Sequence, residues 1–295
     1  MNIAVYCKNF YDKDIDFFIQ LFHELNEQKI NVQVYEPFYH FVREKFSLPQ
    51  EITVFNTHED LLKATDCLFS IGGDGTILGT TSLVKGSGIP VLGINIGRLG
   101  FLSGVAKEQI KLAIENILQK KYTLESRTLI RIESEQDLFG EFNYALNEYS
   151  FHKKDSPSMI RIQAYLDDEY LNSYWGDGLI VATPTGSTGY SLSCGGPIIT
   201  PDVECFIITP IATHNLTVRP LIISDKAVIK LKFEETNKHI MIGQDFRYTT
   251  VTAPLEVVLK KENFKMNLVR MENQNFFNTI RNKLMWGHDI RNNKE

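Results

Sequence analysis

The spacing of apolar residues changes once along the chain, near residue 122. Before that point, short apolar runs alternate with segments of helical spacing, such as Ile15 to Leu25, which follows a predicted N-cap at Asp14. After it, apolar and polar residues alternate one by one, as in Ile160 to Leu166 and Ile229 to Phe233. Strands that alternate with helices form parallel sheets, whereas successive alternating strands form sandwiches or barrels. The sequence therefore predicts an α/β domain with a parallel sheet, followed by an all-β sandwich.

The length of 295 residues is consistent with two domains. We place the α/β domain at residues 1–105 and the β-sandwich at residues 106–270, and we expect residues 271–295 to be helical or irregular. The predicted elements of the α/β region are strands at Ile3–Cys7, Val32–Tyr35, Cys67–Ile71 and Pro90–Ile94, and helices at Ile15–Leu25, Thr76–Val84 and Ile110–Leu118.

Charge and apolar run length exclude several classes of protein. The net charge of −5 gives no basic surface for sequence-independent nucleic-acid binding. No apolar run approaches the ~18 residues that predict a membrane span, and the first residues read directly into a strand rather than a signal peptide. The four cysteines form no C-x-x-C pair and no cluster with histidines, so no metal site of the protein's own is predicted. We expect a cytoplasmic protein with no membrane and no nucleic-acid partner.

Glycine is concentrated in two windows. Of 19 glycines, ten lie between Gly72 and Gly104 and six between Gly176 and Gly196. Glycine lets the backbone approach a ligand closely or adopt a positive φ. The two windows are therefore candidate ligand loops.

The first window opens with the loop Ile71-Gly72-Gly73-Asp74-Gly75-Thr76, where a predicted strand gives way to a helix. Ligands of open α/β sheets bind beyond the carboxyl ends of the strands, and a helix N-terminus attracts phosphate. Asp74 could accept a proton from an attacking hydroxyl or hold a metal on the phosphates. An ordinary strand-to-helix turn is the alternative, since Asp-Gly is a common turn dipeptide. The loop matches neither the P-loop nor the dinucleotide fingerprint.

The second window, Gly176 to Pro197, carries many hydroxyls and a single charge, at Asp177. Hydroxyl and backbone groups suit a neutral base and sugar, and Tyr190 offers a flat ring for stacking; a surface loop rich in Ser and Thr is the alternative. The pair Asn147-Glu148 could bind ribose hydroxyls, although an exposed polar pair is the simpler interpretation without further context.

Together these segments resemble the NAD kinase family. The Gly-Gly-Asp-Gly-Thr loop is shared with lipid kinases and phosphofructokinases, whereas the Gly176 to Pro197 stretch is much more specific. Further matching segments are Gly93 to Leu102, His214 to Leu221, and Phe277 to Trp286. The resemblance covers nearly the whole chain, in the family's order. It implies transfer of the ATP γ-phosphoryl group to the 2′-hydroxyl of the adenosine ribose of NAD, and a C-terminal tail that returns to the first domain.

The resemblance also implies the roles of individual residues. Asp74 matches the general base, and Gly72, Gly73, Gly75 and Thr76 match the phosphate loop, where Gly75 lines the phosphate approach. Asp74 and Gly75 also match NAD-binding positions. The other residues that match NAD-binding positions are Asn147, Glu148, Asp177, Thr188, Gly189, Tyr190, Ser191, Leu192, Ser193 and Gln244. Members often carry an aspartate two residues before that glutamine; here the position is Ile242, and Asp245 follows instead. The first domain would bind the phosphoryl donor and the second NAD, with a divalent cation, Mg²⁺, carried on ATP and a homodimer or homotetramer as the assembly.

Two other functions stay open. A lipid kinase of the same superfamily would carry an Asn-Glu pair shortly after the glycine loop, where this chain continues Ile77-Leu78-Gly79-Thr80. A catalytically silent NAD(H)- or NADP(H)-binding sensor would keep the second window and could lose the base. The presence of Asp74 in a phosphate loop favours an enzyme.

Overall fold

The chain divides into two compact units in the computed structural model, which describes residues 1–49, 51–61, 64–97, 100–154, 159–234, 239–272 and 274–287. Unit 1 consists of Met1–Ser126 and Met266–Glu295, and unit 2 of Arg127–Lys265. The division at 126/127 lies later than the predicted boundary at 105/106. The reason is the helix Ile110–Leu118, whose Ile110, Ala113, Ile114 and Ile117 are buried in the core of unit 1.

The elements are numbered in chain order. From the start to the end of unit 1's first segment they are β1 (Asn2–Cys7), α1 (Ile15–Glu27), β2 (Asn31–Tyr35), α2 (Glu36–Lys45), β3 (Ile52–Phe55), β4 (Cys67–Ile71), α3 (Asp74–Val84), β5 (Val91–Asn95), β6 (Val105–Ala106), α4 (Ile110–Leu118) and β7 (Tyr122–Glu133), which continues into unit 2. The remaining elements are β8 (Tyr144–Ala145), β9 (Glu148–Lys153), β10 (Ile160–Leu166), β11 (Glu169–Gly176), β12 (Gly178–Ala182), α5 (Tyr190–Ser193), β13 (Cys205–Ile211), β14 (Leu221–Ser224), β15 (Ile229–Phe233), β16 (His239–Gln244), β17 (Arg247–Thr252), β18 (Leu255–Met271) and α6 (Phe276–Leu284).

Unit 1 contains a parallel sheet in the order β3-β2-β1-β4-β5, and the end of β18 joins β5 in parallel through Leu268 and Val91. Phe18, Leu21 and Phe22 of α1 pack against the sheet in one apolar cluster, and the ring of Phe38 on α2 meets that of Phe18 edge-on. The sheet places the ends of β4 and β5 side by side, since Gly72 N donates to Ile94 O. The loops that follow these two strands are therefore neighbours.

Most predicted elements of this region are confirmed, with ends that differ by one or two residues. The elements without a sequence prediction are α2, β3, the two-residue β6 and β7. The short helix α2 begins at a Glu-Pro pair and carries buried side chains only at Phe38 and Val42, so its apolar spacing is too sparse to identify. Asp14 occupies the N-cap position of α1 as predicted, but its side chain makes no capping hydrogen bond.

Unit 2 is built from two antiparallel sheets. One has the order β14-β13-β12-β9-β16-β17, and the other contains β11, β10, β15 and the first part of β18 in that order. Phe151 and Val181 from the first sheet and Ala164 and Leu231 from the second belong to one buried apolar cluster. The predicted β-sandwich is thus confirmed. β10 and β15 bury alternate residues, as the sequence pattern requires, whereas β12 and β13 are buried along their whole length.

None of the helices in the described part of the chain is long and apolar enough to cross a membrane.

Candidate active site

Asp74 is the first residue of α3 and lies at the carboxyl end of β4. Its Oδ2 accepts a hydrogen bond from the backbone N–H of Phe101 at 2.7 Å, and its Oδ1 accepts those of Leu102 at 3.0 Å and Ser103 at 3.1 Å. The Ser103 hydroxyl adds a fourth bond to Oδ1, at 3.3 Å. The loop after β5 therefore holds this half-buried carboxylate in one position and orientation, which a catalytic group requires.

One glycine makes this close approach possible. A Cβ on Gly100 would lie 1.8 Å from Asp74 Oδ1, so no larger residue fits without displacing the carboxylate or the loop. Gly73 and Gly75, on either side of Asp74 in the sequence, are exposed, and a Cβ on either would meet no atom of the described residues within 4 Å. Asp74 is thus held by the loop after β5 and flanked by two exposed glycines.

The N-terminus of α3 is suited to bind phosphate. The first N–H groups of an α-helix have no acceptor within the helix, and they carry the positive end of the helix dipole. Gly72 has a φ of +143°, and a Cβ there would lie 2.3 Å from Thr76 Oγ1, so the turn into α3 depends on glycine. Backbone N–H groups flanked by exposed glycines can approach phosphate oxygens closely.

A second layer from the C-terminal segment supports the loop that holds Asp74. Arg270 forms an ion pair with Glu125 at 2.5 Å and donates to Leu102 O at 3.3 Å. Gln274 Nε2 donates to Gly104 O at 2.7 Å. Sequence reasoning did not identify these residues, because nothing local to them indicates a partner some 170 positions earlier in the chain.

In unit 2, the predicted pair Asn147-Glu148 lies against the hydroxyl-rich segment. Thr183 Oγ1 donates to Leu146 O at 2.6 Å, and Thr183 N donates to Asn147 O at 2.8 Å. A Cβ on Gly186 would lie 2.2 Å from Asn147 O, and one on Gly189 would lie 2.9 Å from Glu148 Oε2. The fold therefore brings these two predicted segments together, and glycines permit the contact.

Glu148 is the most perturbed carboxyl group of this cluster. It is buried, and burial together with the nearby carboxylate of Asp245 raises the pKa of Glu148 to about 8, although a hydrogen bond from the Tyr190 backbone opposes the shift. Its Oε2 finds no hydrogen-bond partner among the described residues. At neutral pH this side chain is mainly the protonated acid, so it can donate a hydrogen bond as well as accept one.

Tyr190 presents its ring near this pair. The ring stacks on that of His152 with centroids 5.5 Å apart and planes 18° apart, and 39% of the residue is exposed. Burial lowers the pKa of His152 and so favours the neutral imidazole. An aromatic ring supported from one side is a suitable platform for a planar base.

The other predicted residues of unit 2 are placed less directly. Asp177 forms an ion pair with Lys153 at 2.6 Å and remains partly exposed. Ser191 is buried with its Oγ 2.8 Å from Thr209 Oγ1, and Thr188 donates its hydroxyl to Thr185 O at 3.3 Å. These two hydroxyls bond to the protein itself, whereas Ser193 is exposed.

Gln244 is 1% exposed and faces the interior. Its Nε2 donates to Phe142 O at 2.7 Å and to Tyr144 O at 2.6 Å. In this arrangement the amide holds the chain before the Asn147-Glu148 pair. Its neighbour Asp245, which sequence reasoning did not select, bonds to the pair itself.

The described residues include no group of three or more His, Cys, Asp or Glu side chains that could hold a metal ion. Arg98 and Leu99, which belong to one of the segments of the family resemblance, lie outside the described residues.

Comparisons with known proteins agree on one family. The model of the ATP-NAD kinase N-terminal domain matches residues 10–122, and that of the C-terminal domain matches residues 146–271. An NAD kinase of Flavobacterium psychrophilum is 45% identical over 294 residues, which cover 99% of this chain and 100% of the relative. An NAD kinase of Cytophaga hutchinsonii is 43% identical over 293 residues, with the same coverage of both chains.

Two solved structures are similar in fold. The crystal structure of an NAD kinase from Archaeoglobus fulgidus in complex with ATP has a TM-score of 0.73 and 26% identity, covering 97% of this chain and 99% of that one. The crystal structure of yeast NADH kinase complexed with NADH has a TM-score of 0.89, covering 99% of this chain and 90% of that one. Its identity of 24% shows a shared fold alone.

Proposed function

The chain belongs to the ATP-NAD kinase family, and from this membership we propose that it transfers the γ-phosphoryl group of ATP to the 2′-hydroxyl of the adenosine ribose of NAD, giving NADP and ADP. The observation that carries the proposal is the half-buried carboxylate of Asp74, which four hydrogen bonds hold and which two exposed glycines flank. A fixed carboxylate beside a phosphate-binding helix N-terminus is the combination that phosphoryl transfer to a hydroxyl needs.

Asp74 acts as the general base through Oδ2. Oδ1 accepts three hydrogen bonds, whereas Oδ2 accepts one, from Phe101, so Oδ2 keeps a lone pair for a proton. The 2′-hydroxyl gives its proton to Oδ2 as its oxygen bonds to the γ-phosphorus. The bond from that phosphorus to the bridging oxygen breaks, and its electron pair leaves with ADP. The loop Gly72–Thr76 binds the phosphates during this step through backbone N–H groups.

A divalent cation, Mg²⁺, comes to the site with ATP. Asp74 is the only acidic residue between Ile71 and Thr76, and its Oδ2 is assigned to the proton, so this loop offers the cation no further carboxylate oxygen. Mg²⁺ commonly keeps several waters and takes most of its other ligands from substrate phosphates, so the residues present suit a metal of this kind. When bound, the cation neutralises charge on the phosphates.

The residues of unit 2 bind NAD. Protonated Glu148 can donate to a ribose oxygen, and Asn147, next to it, offers both a donor and an acceptor. The ring of Tyr190, supported by His152, stacks on a planar base. Asp177 contacts a ribose hydroxyl while it remains paired with Lys153. Thr188, Gly189 and Leu192 contribute backbone groups, and Ser193 a hydroxyl.

The chain also forms a homodimer or homotetramer. The supporting observation is β14, an edge strand of unit 2 on which Leu221 and Ile222 are 37% and 48% exposed. Exposed apolar edge strands are commonly covered by another chain. Light scattering across a concentration series tests the assembly, and a monomer at all concentrations would contradict it.

The decisive experiment supplies the protein with ATP, Mg²⁺ and one acceptor at a time: NAD, NADH or diacylglycerol. A dehydrogenase specific for NADP reports the 2′-phosphate, and mass spectrometry reports any phosphorylated lipid. We expect NADP from NAD. Phosphorylation of diacylglycerol alone would indicate the lipid kinase, and tight NAD binding without any phosphorylated product would indicate the silent sensor.

A further inference from the structure

The carboxylate of Asp245 binds the backbone of the Asn147-Glu148 pair through a set of hydrogen bonds, called the grip below. Its Oδ2 accepts the N–H of Leu146 at 2.9 Å, and its Oδ1 accepts those of Asn147 at 2.8 Å and Glu148 at 3.2 Å. In return, the backbone N–H of Asp245 donates to Glu148 O at 3.1 Å. One residue therefore satisfies three successive donors and one acceptor of the segment that carries the pair.

The position of Asp245 follows from a tight hairpin. β16 and β17 pair with Gln244 opposite Arg247, so only Asp245 and Phe246 make the turn. Asp245 has a φ of +52°, a left-handed conformation that aspartate adopts more readily than most residues. The turn points its carboxylate at the N–H groups of residues 146–148 and leaves the neighbouring strand pairs intact.

Two neighbours in the same hairpin bind the preceding part of the chain. Gln244 donates to Phe142 O and Tyr144 O, and Arg247 donates to Phe142 O at 2.7 Å. The hairpin thus contributes two donors, Gln244 and Arg247, to the carbonyl groups of residues 142 and 144. It also contributes one acceptor, Asp245, to the N–H groups of residues 146–148. Residues 142–148 are fixed from a single element that lies about 100 positions later in the sequence.

The grip also places two carboxyl groups near each other. Burial raises the pKa of Asp245 to about 6, while the three N–H groups and Arg247 oppose the shift; Asp245 in turn raises the pKa of Glu148. Two neighbouring carboxyl groups in a buried setting cost stability, and a contact needed only for folding could be made without the second charge. The cost is understandable if the exact placement of residues 147 and 148 matters for ligand binding.

We infer that Asp245 is a positioning residue for NAD: it fixes the backbone from which Asn147 and Glu148 reach the substrate, without touching NAD itself. The inference rests on the proposed function, because it assigns the pair to the NAD side of the reaction. Without the Asp245 carboxylate, the three backbone N–H groups of residues 146–148 lose their acceptors, and the backbone that carries the side chains of Asn147 and Glu148 is no longer fixed. Donor binding in unit 1 does not depend on this contact.

The test compares Asp245→Ala and Asp245→Asn with Tyr248→Ala, a control on the same hairpin at a residue that is 74% exposed. We expect Asp245→Ala to raise KM for NAD and lower kcat/KM for NAD by about 10- to 100-fold, with KM for ATP unchanged. Asp245→Asn keeps one acceptor oxygen and should lie between the alanine variant and the wild type. Tyr248→Ala should match the wild type.

Hydrogen exchange supplies a readout that does not depend on turnover. The amides of residues 146–148 should exchange faster in the Asp245 variants, while those of β12 and β13 keep their wild-type rates. If Asp245→Ala does not fold, the comparison is decided by Asp245→Asn. An unchanged KM for NAD, equal rises of KM for NAD and ATP, or the same loss in Tyr248→Ala would each overturn the inference. Failure of the wild type to produce NADP would instead overturn the proposed function.

Discussion

Asp74 in unit 1 and Asp245 in unit 2 hold the backbone in the same way, yet their surroundings differ. Each carboxylate accepts the N–H groups of three successive residues, 101–103 and 146–148 respectively. Asp74 starts a helix and is flanked by two exposed glycines. Asp245 lies in a hairpin turn, and burial raises its pKa to about 6 beside Glu148. The same pattern of hydrogen bonds suits both the general base proposed for Asp74 and the positioning role inferred for Asp245.

The largest effect should come from Asp74→Asn, which removes the proposed base and keeps the size of the side chain. We expect turnover to fall by ~10²–10⁴, the usual contribution of a general base, while NAD still binds. Initial rates with saturating NAD and ATP measure turnover, and calorimetric titration with NAD measures binding. If turnover stays within threefold of wild type, which corresponds to about 0.7 kcal/mol of activation free energy, Asp74 is not the general base.

A methyl group at Gly100 should disturb the grip on Asp74 without altering the carboxylate. In Gly100→Ala the new Cβ would lie 1.8 Å from Asp74 Oδ1, so the loop or the carboxylate must move. We expect about a 10²-fold loss of kcat. Gly97→Ala is the matched control, since among the described residues its Cβ would approach only Asn95 Oδ1, at 3.8 Å. Equal activity in the two variants would show that the placement of Asp74 is not critical.

Glu148→Gln should change the pH dependence of stability, because the folded protein holds the Glu148 proton up to a pH of about 8. A raised pKa in the folded state stabilises the protein fully at acid pH, and this contribution is lost as the pH rises through about 8. The free energy of unfolding of the wild type should therefore fall between pH 5 and pH 9 by about 1–3 kcal/mol more than that of the glutamine variant. Urea unfolding at both values measures the difference. Glu169→Gln, at an exposed residue of β11, should show the same pH dependence as the wild type. If the free energies of unfolding of Glu148→Gln and the wild type differ by the same amount at both pH values, the prediction is wrong.

The smallest effect should come from Tyr190→Ala, which removes the ring that stacks on His152. Loss of one aromatic stacking partner costs about 1 kcal/mol, or roughly a fivefold weaker affinity for NAD. ATP affinity should not change, and Tyr190→Phe should bind NAD as the wild type does. Calorimetric titrations with each nucleotide make the comparison. Equal losses for NAD and ATP would show that the Tyr190 region is not an acceptor site.

The same contrast explains what the sequence could predict. The glycine loop of Asp74 is contiguous, and its place between a buried strand and a helix follows from local patterns, so both the residue and its setting were predictable. The partners of Asp74 follow the next strand, and those of Asp245 lie about 100 residues away. No local pattern indicates which N–H groups a distant carboxylate accepts. Family resemblance identified Gln244, but it could not show that its amide faces Phe142 and Tyr144.

The discontinuity of unit 1 has a consequence for synthesis on the ribosome. Residues 1–126 are made first, followed by all of unit 2, and only then residues 266–274, which supply Leu268 to the parallel sheet and the bonds from Arg270 and Gln274 to the loop beside Asp74. Asp74 can emerge early, but its supporting layer is complete only after unit 2 has been translated. A nascent chain that stalls within unit 2 would therefore carry the glycine loop without the contacts that hold its carboxylate in place.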